Sequence, residues 1–163
     1  MEMTTRGRTV TEADVVWFAA QTGDWHAQHS DAQFARTSRF GERIAHGLLV
    51  LSYALGLLPI DSERVVVLRR IADATFKAPV RLGDTIHVHV AISELQPVDD
   101  RVGLVGFRWR VMNQSGATVI RAKVDVLWRR EGDDGRRTDG RAIAPSVGFA
   151  ASWEGIDTRC LPL

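Results

Sequence analysis

The chain holds one cysteine, Cys160. A lone cysteine forms no intrachain disulfide, and no Cys/His spacing matches a structural metal pattern. A reducing compartment, the cytoplasm, is the expected location. The chain also lacks an excess of either charge: 21 basic side chains stand against 20 acidic ones, for a formal net charge of +1. A nucleic-acid binder would show a basic face and a higher isoelectric point, so that class is set aside. The longest nearly apolar stretch, Gly47 to Ile60, is shorter than the ~20 residues that span a bilayer. No membrane segment is expected, and Met1 to Arg8 has no apolar centre of a secretory leader. What is present is ordinary globular material, 163 residues of which 45% are hydrophobic and 25% charged. That suits one domain with a core of normal size.

Along the chain, helices come first. Thr11 is a natural N-cap with Asp14 three residues on, and Val15, Phe18 and Ala19 follow at helical spacing. Gly23 is a C-terminal cap. Trp25 to Ser30 reads as loop. A short second helix is expected over Asp31 to Thr37, capped by Ser30 and burying Phe34. His46 to Leu58 is apolar on nearly every face, which predicts a helix buried all round, ended by Pro59. The pattern then changes. Val65 to Phe76 is rich in Val, Leu and Ile. Thr85 to Glu94 alternates, with Ile86, Val88, Val90 and Ile92 on one face, and Gly103 to Asn113 alternates too. Asn113-Gln114-Ser115-Gly116 is hairpin chemistry, with Ala117 to Arg129 as the return strand. Helices followed by about four strands predict an α+β domain, an antiparallel sheet packed on a long helix. The boundaries are residues 1–130 for this domain and 131–163 for a polar linker and C-terminal tail. In the tail Phe149, Trp153 and Ile156 either dock on the domain or remain free of it.

The densest set of ionisable groups outside a helix is Asp24-Trp25-His26-Ala27-Gln28-His29. A carboxylate beside an imidazole can hold a water and move its protons near neutral pH. The plainer alternative is that Asp24 caps a helix and the histidines are exposed loop residues. A metal is the weaker reading and none is expected. His46, before a buried helix, reads as a core or capping residue. His87 and His89 read as sheet-surface residues. Trp17, Trp25, Trp109, Trp128 and Trp153 read as core or interface, with Trp25 a candidate for a substrate tunnel, and Arg69 and Arg70 are candidates for phosphate contacts.

Three segments carry a family resemblance. Thr11 through Asp24, followed by His29, Asp31 and Phe34-Ala35, resembles the hydratase signature of MaoC-like (R)-specific enoyl hydratases and dehydratases. Ala45-His46-Gly47-Leu48 is similar to the His-Gly step that opens that family's central helix. Phe76-Lys77-Ala78-Pro79-Val80 with Gly83-Asp84 resembles its following strand and turn. The resemblance covers roughly residues 9 to 129.

The resemblance implies the hot-dog fold, an antiparallel sheet wrapped round one long helix, with two units pairing as a homodimer or higher oligomer. It implies reversible hydration of trans-2-enoyl thioesters of coenzyme A or acyl carrier protein to the (R)-3-hydroxyacyl form, with no cofactor. Asp24 and His29 would be the catalytic pair, and the Gly47 amide would donate to the thioester carbonyl, a role that suits the free N–H groups of a helix start. The family's Asn-Pro is His26-Ala27 here, so His26 either replaces Asn as a hydrogen-bonding partner near the substrate or adds a second titrating group. The serine that some relatives carry further along the central helix is not matched: Leu55 stands there, with Ser52 a turn earlier. Two other roles stay open on this fold, an acyl thioesterase and a non-catalytic acyl-binding or partner subunit.

Overall fold

The computed structural model describes residues 2–59 and 61–130. The expected linker and tail over 131–163, with Phe149, Trp153, Ile156 and Cys160, lie outside the described residues. The chain opens with two short strands, β1 (Glu2–Thr4) and β2 (Arg8–Thr9), which sequence reading does not anticipate. Both lie antiparallel along one side of a later strand, β4.

Helix α1 (Glu12–Thr22) begins as its sequence predicts. The Thr11 N–H donates to Asp14 Oδ2 at 2.7 Å and the Asp14 N–H to Thr11 Oγ1 at 3.3 Å, a reciprocal capping box. Val15 and Ala19 face the core. Gly23 ends the helix in the left-handed region, φ 76°, its N–H donating to Ala19 O, a conformation that costs glycine little.

The expected loop over Trp25–Ser30 instead contains one helical turn, α2 (Ala27–Ser30), capped by His26. Asp31 rather than Ser30 caps α3 (Ala32–Thr37), because its carboxylate accepts from both Gln33 N and Phe34 N. Phe34 is 46% exposed rather than buried. The face of α3 that turns inward carries the smaller Ala35.

The long apolar helix is α4 (Gly47–Leu57). It is not buried all round. Leu49, Val50, Leu51, Ala54 and Leu57 are buried, whereas Ser52 and Leu48 are exposed, the latter at 62%. The sheet wraps only part of the helix circumference. That sheet is antiparallel throughout, with β3 (Val65–Phe76), β4 (Thr85–Pro97), β5 (Val102–Met112) and β6 (Thr118–Arg129) in the order β1-β4-β5-β6-β3. Alternation places Ile86, Val88 and Val90 of β4 and Val105, Phe107, Trp109 and Val111 of β5 against α4. Each such fully buried side chain contributes on the order of 1.5–3 kcal/mol. Trp109 and Trp128 belong to this core, while Trp17 and Trp25 are exposed. This is the hot-dog arrangement expected from the resemblance, with α4 gripped by a curved sheet. One edge of the sheet is β3, whose register slips at three places.

Candidate active site

Four segments converge at the start of α4. The αL turn at Gly23 throws Asp24 off the end of α1, leaving its carboxylate exposed. The single turn α2 then presents His29. This turn is pinned from below: buried Gln28 donates through Nε2 to the Glu42 carbonyl at 2.9 Å, and His29 Nδ1 lies 2.8 Å from the Ile44 carbonyl. A carbonyl can only accept, so Nδ1 of His29 carries the proton and Nε2 keeps its lone pair. The 44–46 stretch is itself held, with the Ala45 N–H donating to Val80 O at 2.8 Å.

Burial holds the half-buried His29 imidazole below its ordinary value of 6.5. The neighbouring His46 and His26 push the same way, and the Ile44 carbonyl and the Asp24 charge oppose them. His29 is therefore kept neutral, as a proton acceptor must be.

Asp24, His29 and Gly47 line one cavity of about 480 Å³, together with Phe18, His46, Leu48 and Phe76. Leu48 is exposed because it faces this opening. Gly47 is the first residue of α4, where N–H groups have no partner within the helix. Its lack of a side chain accommodates Phe76: a Cβ at position 47 would stand 2.7 Å from the Phe76 ring.

The structure also brings in a residue that sequence reading left as core or cap. His46 is 2% exposed, makes no side-chain capping bond, and stacks on His29 with ring centroids 3.9 Å apart. Its signal in the sequence was only its place before Gly47. Asp24, His29 and His46 each offer a ligand atom within 4.8 Å of the others, a spacing a cation could bridge. Yet His29 Nδ1 and His46 Nε2 are both bonded to carbonyls, and His46 Nδ1 is enclosed. The Asp24 carboxylate and the His29 ring nitrogen not engaged by Ile44 belong to the lining of one cavity.

Other candidates fall elsewhere. His26 caps α2, its Nδ1 accepting from the Gln28 N–H at 3.2 Å, and it does not line the cavity. Trp25 does not line it either. Arg70 is bonded to Asp125 at 2.7 Å, and neither it nor Arg69 lines the cavity. Among the described residues the cations on the cavity wall are Arg39 and Lys77; Lys77 stands in the Phe76-Lys77-Ala78-Pro79-Val80 segment of the resemblance, and no sequence motif marks Arg39. His87 and His89 sit half-buried on β4, and His89 faces Glu2 at 3.5 Å.

Comparison with known proteins finds relatives in sequence and in fold. Over 84 residues the chain is 42% identical to Protein MaoC of Klebsiella aerogenes, covering 51% of this chain but only 25% of that protein. Over 120 residues it is 32% identical to the (R)-specific enoyl-CoA hydratase of Rhodospirillum rubrum, covering 74% and 81% of the two chains. Among solved structures, a protein of Archaeoglobus described as a monoamine oxidase regulatory protein superposes with a TM-score of 0.75 at 37% identity, over 79% of this chain and 88% of that one. The family model described as MaoC like domain matches residues 1–108, and the chain therefore belongs to the MaoC-like domain family.

Proposed function

We propose that the protein catalyses reversible hydration of trans-2-enoyl thioesters to (R)-3-hydroxyacyl thioesters. The observation that carries this reading is the shared cavity, in which a carboxylate, a neutral imidazole nitrogen and a helix N-terminus face one space. The name of the Rhodospirillum rubrum relative supports it.

In the hydration direction the water lies between Asp24 and His29. Its oxygen bonds to the β-carbon, and His29 Nε2 takes one of its protons while Asp24 holds it by the other. The electron pair of the C=C bond moves toward the thioester carbonyl, whose oxygen gathers negative charge. The Gly47 N–H and the positive end of α4 stabilise that charge. The proton on Nε2 then passes to the α-carbon. One water is consumed, and hydroxyl and hydrogen are delivered from the same side. No cofactor takes part.

The substrate carrier is coenzyme A or acyl carrier protein. Both present a phosphate on the pantetheine arm, for which Arg39 and Lys77 on the cavity wall are the candidate partners. The unit is a homodimer or a higher oligomer built from such pairs. Support for this is the edge strand β3, which exposes Val66, Val67, Leu68 and Ile71. An apolar edge of that length calls for a cover. Phe76, at the end of the same strand, lines the cavity, so a second copy would sit beside the site.

The test is to incubate the purified protein with enoyl-CoA and hydroxyacyl-CoA thioesters and follow the absorbance of the conjugated enoyl group. Loss of that absorbance without release of free thiol is the expected result. Thiol release would make the protein a thioesterase.

A further inference from the structure

His46 is the one imidazole at the site that has no part in the chemistry just described, and its surroundings are unusual. It is 2% exposed, yet its Nδ1 has no hydrogen-bond partner among the described residues. Burying an unpartnered ring nitrogen is costly, and a side chain retained only to fill space at a helix start would be apolar. Its other nitrogen is engaged. Nε2 lies 2.9 Å from the main-chain carbonyl of Asp24, and since a carbonyl only accepts, Nε2 is the protonated nitrogen. One ring face packs on His29, at 3.9 Å between centroids and 31° between planes, and Phe18 lies 5.0 Å from the ring. Its own backbone is the N-cap of α4, one residue before Gly47.

These contacts join three elements through one side chain. The Asp24 carbonyl lies just beyond the end of α1, His29 rides on the single turn α2, and Gly47 opens α4. A four-residue helix is too short to be stable alone, so the angle at which His29 meets the water is set by what packs against its ring. Asp24 is exposed and follows a glycine, and the bond to His46 fixes its main chain relative to α4.

We propose that His46 is a positioning residue: its Nε2–H bond to the Asp24 carbonyl and its ring face against His29 lock the water-holding pair to the helix start that receives the thioester oxygen. This rests on the hydratase reading given above.

Two variants separate the two contacts. His46→Phe keeps an aromatic face for His29 and loses the donor. His46→Gln keeps a donor near the place of Nε2 and loses the ring. A misplacement of about 1 Å at a reacting centre can cost about 10²-fold. His46→Phe is therefore expected to lower kcat by that order with KM little changed, and His46→Gln to recover part of the loss. A folded His46→Phe protein with wild-type kcat, or a loss confined to KM, overturns the proposal. The tautomers can be read in the wild-type protein without any variant. Long-range ¹⁵N–¹H NMR of the imidazoles should show the proton on Nε2 of His46 and on Nδ1 of His29. The opposite tautomer on His46 overturns the proposal, even if the variants do not fold. Absence of hydration by the wild-type protein would overturn the hydratase reading instead, and the tautomer result would stand apart from it.

Discussion

Replacing Gly47 by alanine tests the wall of the cavity rather than its titrating groups. An alanine Cβ would stand 2.7 and 2.8 Å from Cε1 and Cδ1 of Phe76. Comfortable carbon contact is about 3.5–4.0 Å, so the ring must retreat by about 1 Å. It has somewhere to go, because Phe76 is 51% exposed and the move needs no change in backbone. The amide of residue 47 is retained, and alanine is the better helix former, so thermal stability should hold or rise. What changes is the position of an aromatic wall beside the reacting carbons. A displacement of that size is worth roughly 10²-fold in rate, or about 2.7 kcal/mol of barrier. The assay is loss of enoyl absorbance with crotonyl-CoA, run beside thermal denaturation. The expected outcome is a folded protein with kcat/KM reduced by about 10- to 100-fold. Adding Phe76→Ala to Gly47→Ala should recover more activity than two independent losses allow, since the clash is then gone. Wild-type kinetics for Gly47→Ala, or strict additivity in the double variant, would refute the steric argument.

Asp24→Asn and His29→Ala should each lower turnover by about 10²- to 10⁴-fold with unchanged circular dichroism, since neither side chain is in the core; near-wild-type rates in both would remove the pair from the mechanism. His26→Asn should keep or raise activity, because asparagine is among the best N-cap residues and preserves the cap of α2; inactivity equal to that of Asp24→Asn would place His26 in the catalytic set. Burial holds His29 below 6.5, so the acid limb of the kcat/KM–pH profile should lie below that value. The same depression has a stability sign. The unfolded chain takes up its proton near pH 6.5 and the folded chain only at lower pH, so folding stability falls as pH drops from about 6.5 through the folded value. Urea denaturation on either side of pH 6.5 should show this decline, and His29→Ala should lessen it. If two copies pair along β3 as proposed, Val67→Lys with Ile71→Lys should turn dimers into monomers by light scattering, while a wild-type monomer with full activity would rule out a functional role for pairing.

Much of the fold was legible because its signals are local. Thr11 and Asp14 cap α1 as a pair, Gly23 takes the left-handed turn, and the alternation of Ile86, Val88 and Val90 faces α4. The elements that escaped have no local period. Strands of three and two residues, β1 and β2, are held by their partner β4 and by nothing in their own composition. The turn α2 is capped by a histidine, which is outside the usual capping set. The apolar composition of α4 implied burial on every side, but Leu48 opens on the cavity instead. At the site, Asp24, His29 and Gly47 stand in one motif order and meet in one cavity. His46, Phe76 and Lys77 stand in segments that carry the resemblance, but their packing around that cavity, like that of Arg39, is a product of tertiary structure that no local pattern shows.

The two margins of the sheet are unequal. On the β4 side, β1 and β2 cover Thr85–Ile86 and His89–Ala91, and the strand then breaks register near Ile92 and runs to Glu94 and Pro97. On the other side β3 offers twelve residues of strand with bare valine, leucine and isoleucine. Open-ended growth, as in a fibre, needs two adhesive margins on every subunit, and among the described residues the long apolar edge strand is β3. The three slips in β3, with Asp73 at φ 52°, narrow it further, because a regular foreign strand laid along it would fall out of phase with the hydrogen bonds. A copy of the same chain, turned about a two-fold axis, brings matching slips and uses up its own adhesive margin in the same contact. If two copies pair along β3 as proposed, this contact closes at two, and the apolar strand is covered within it.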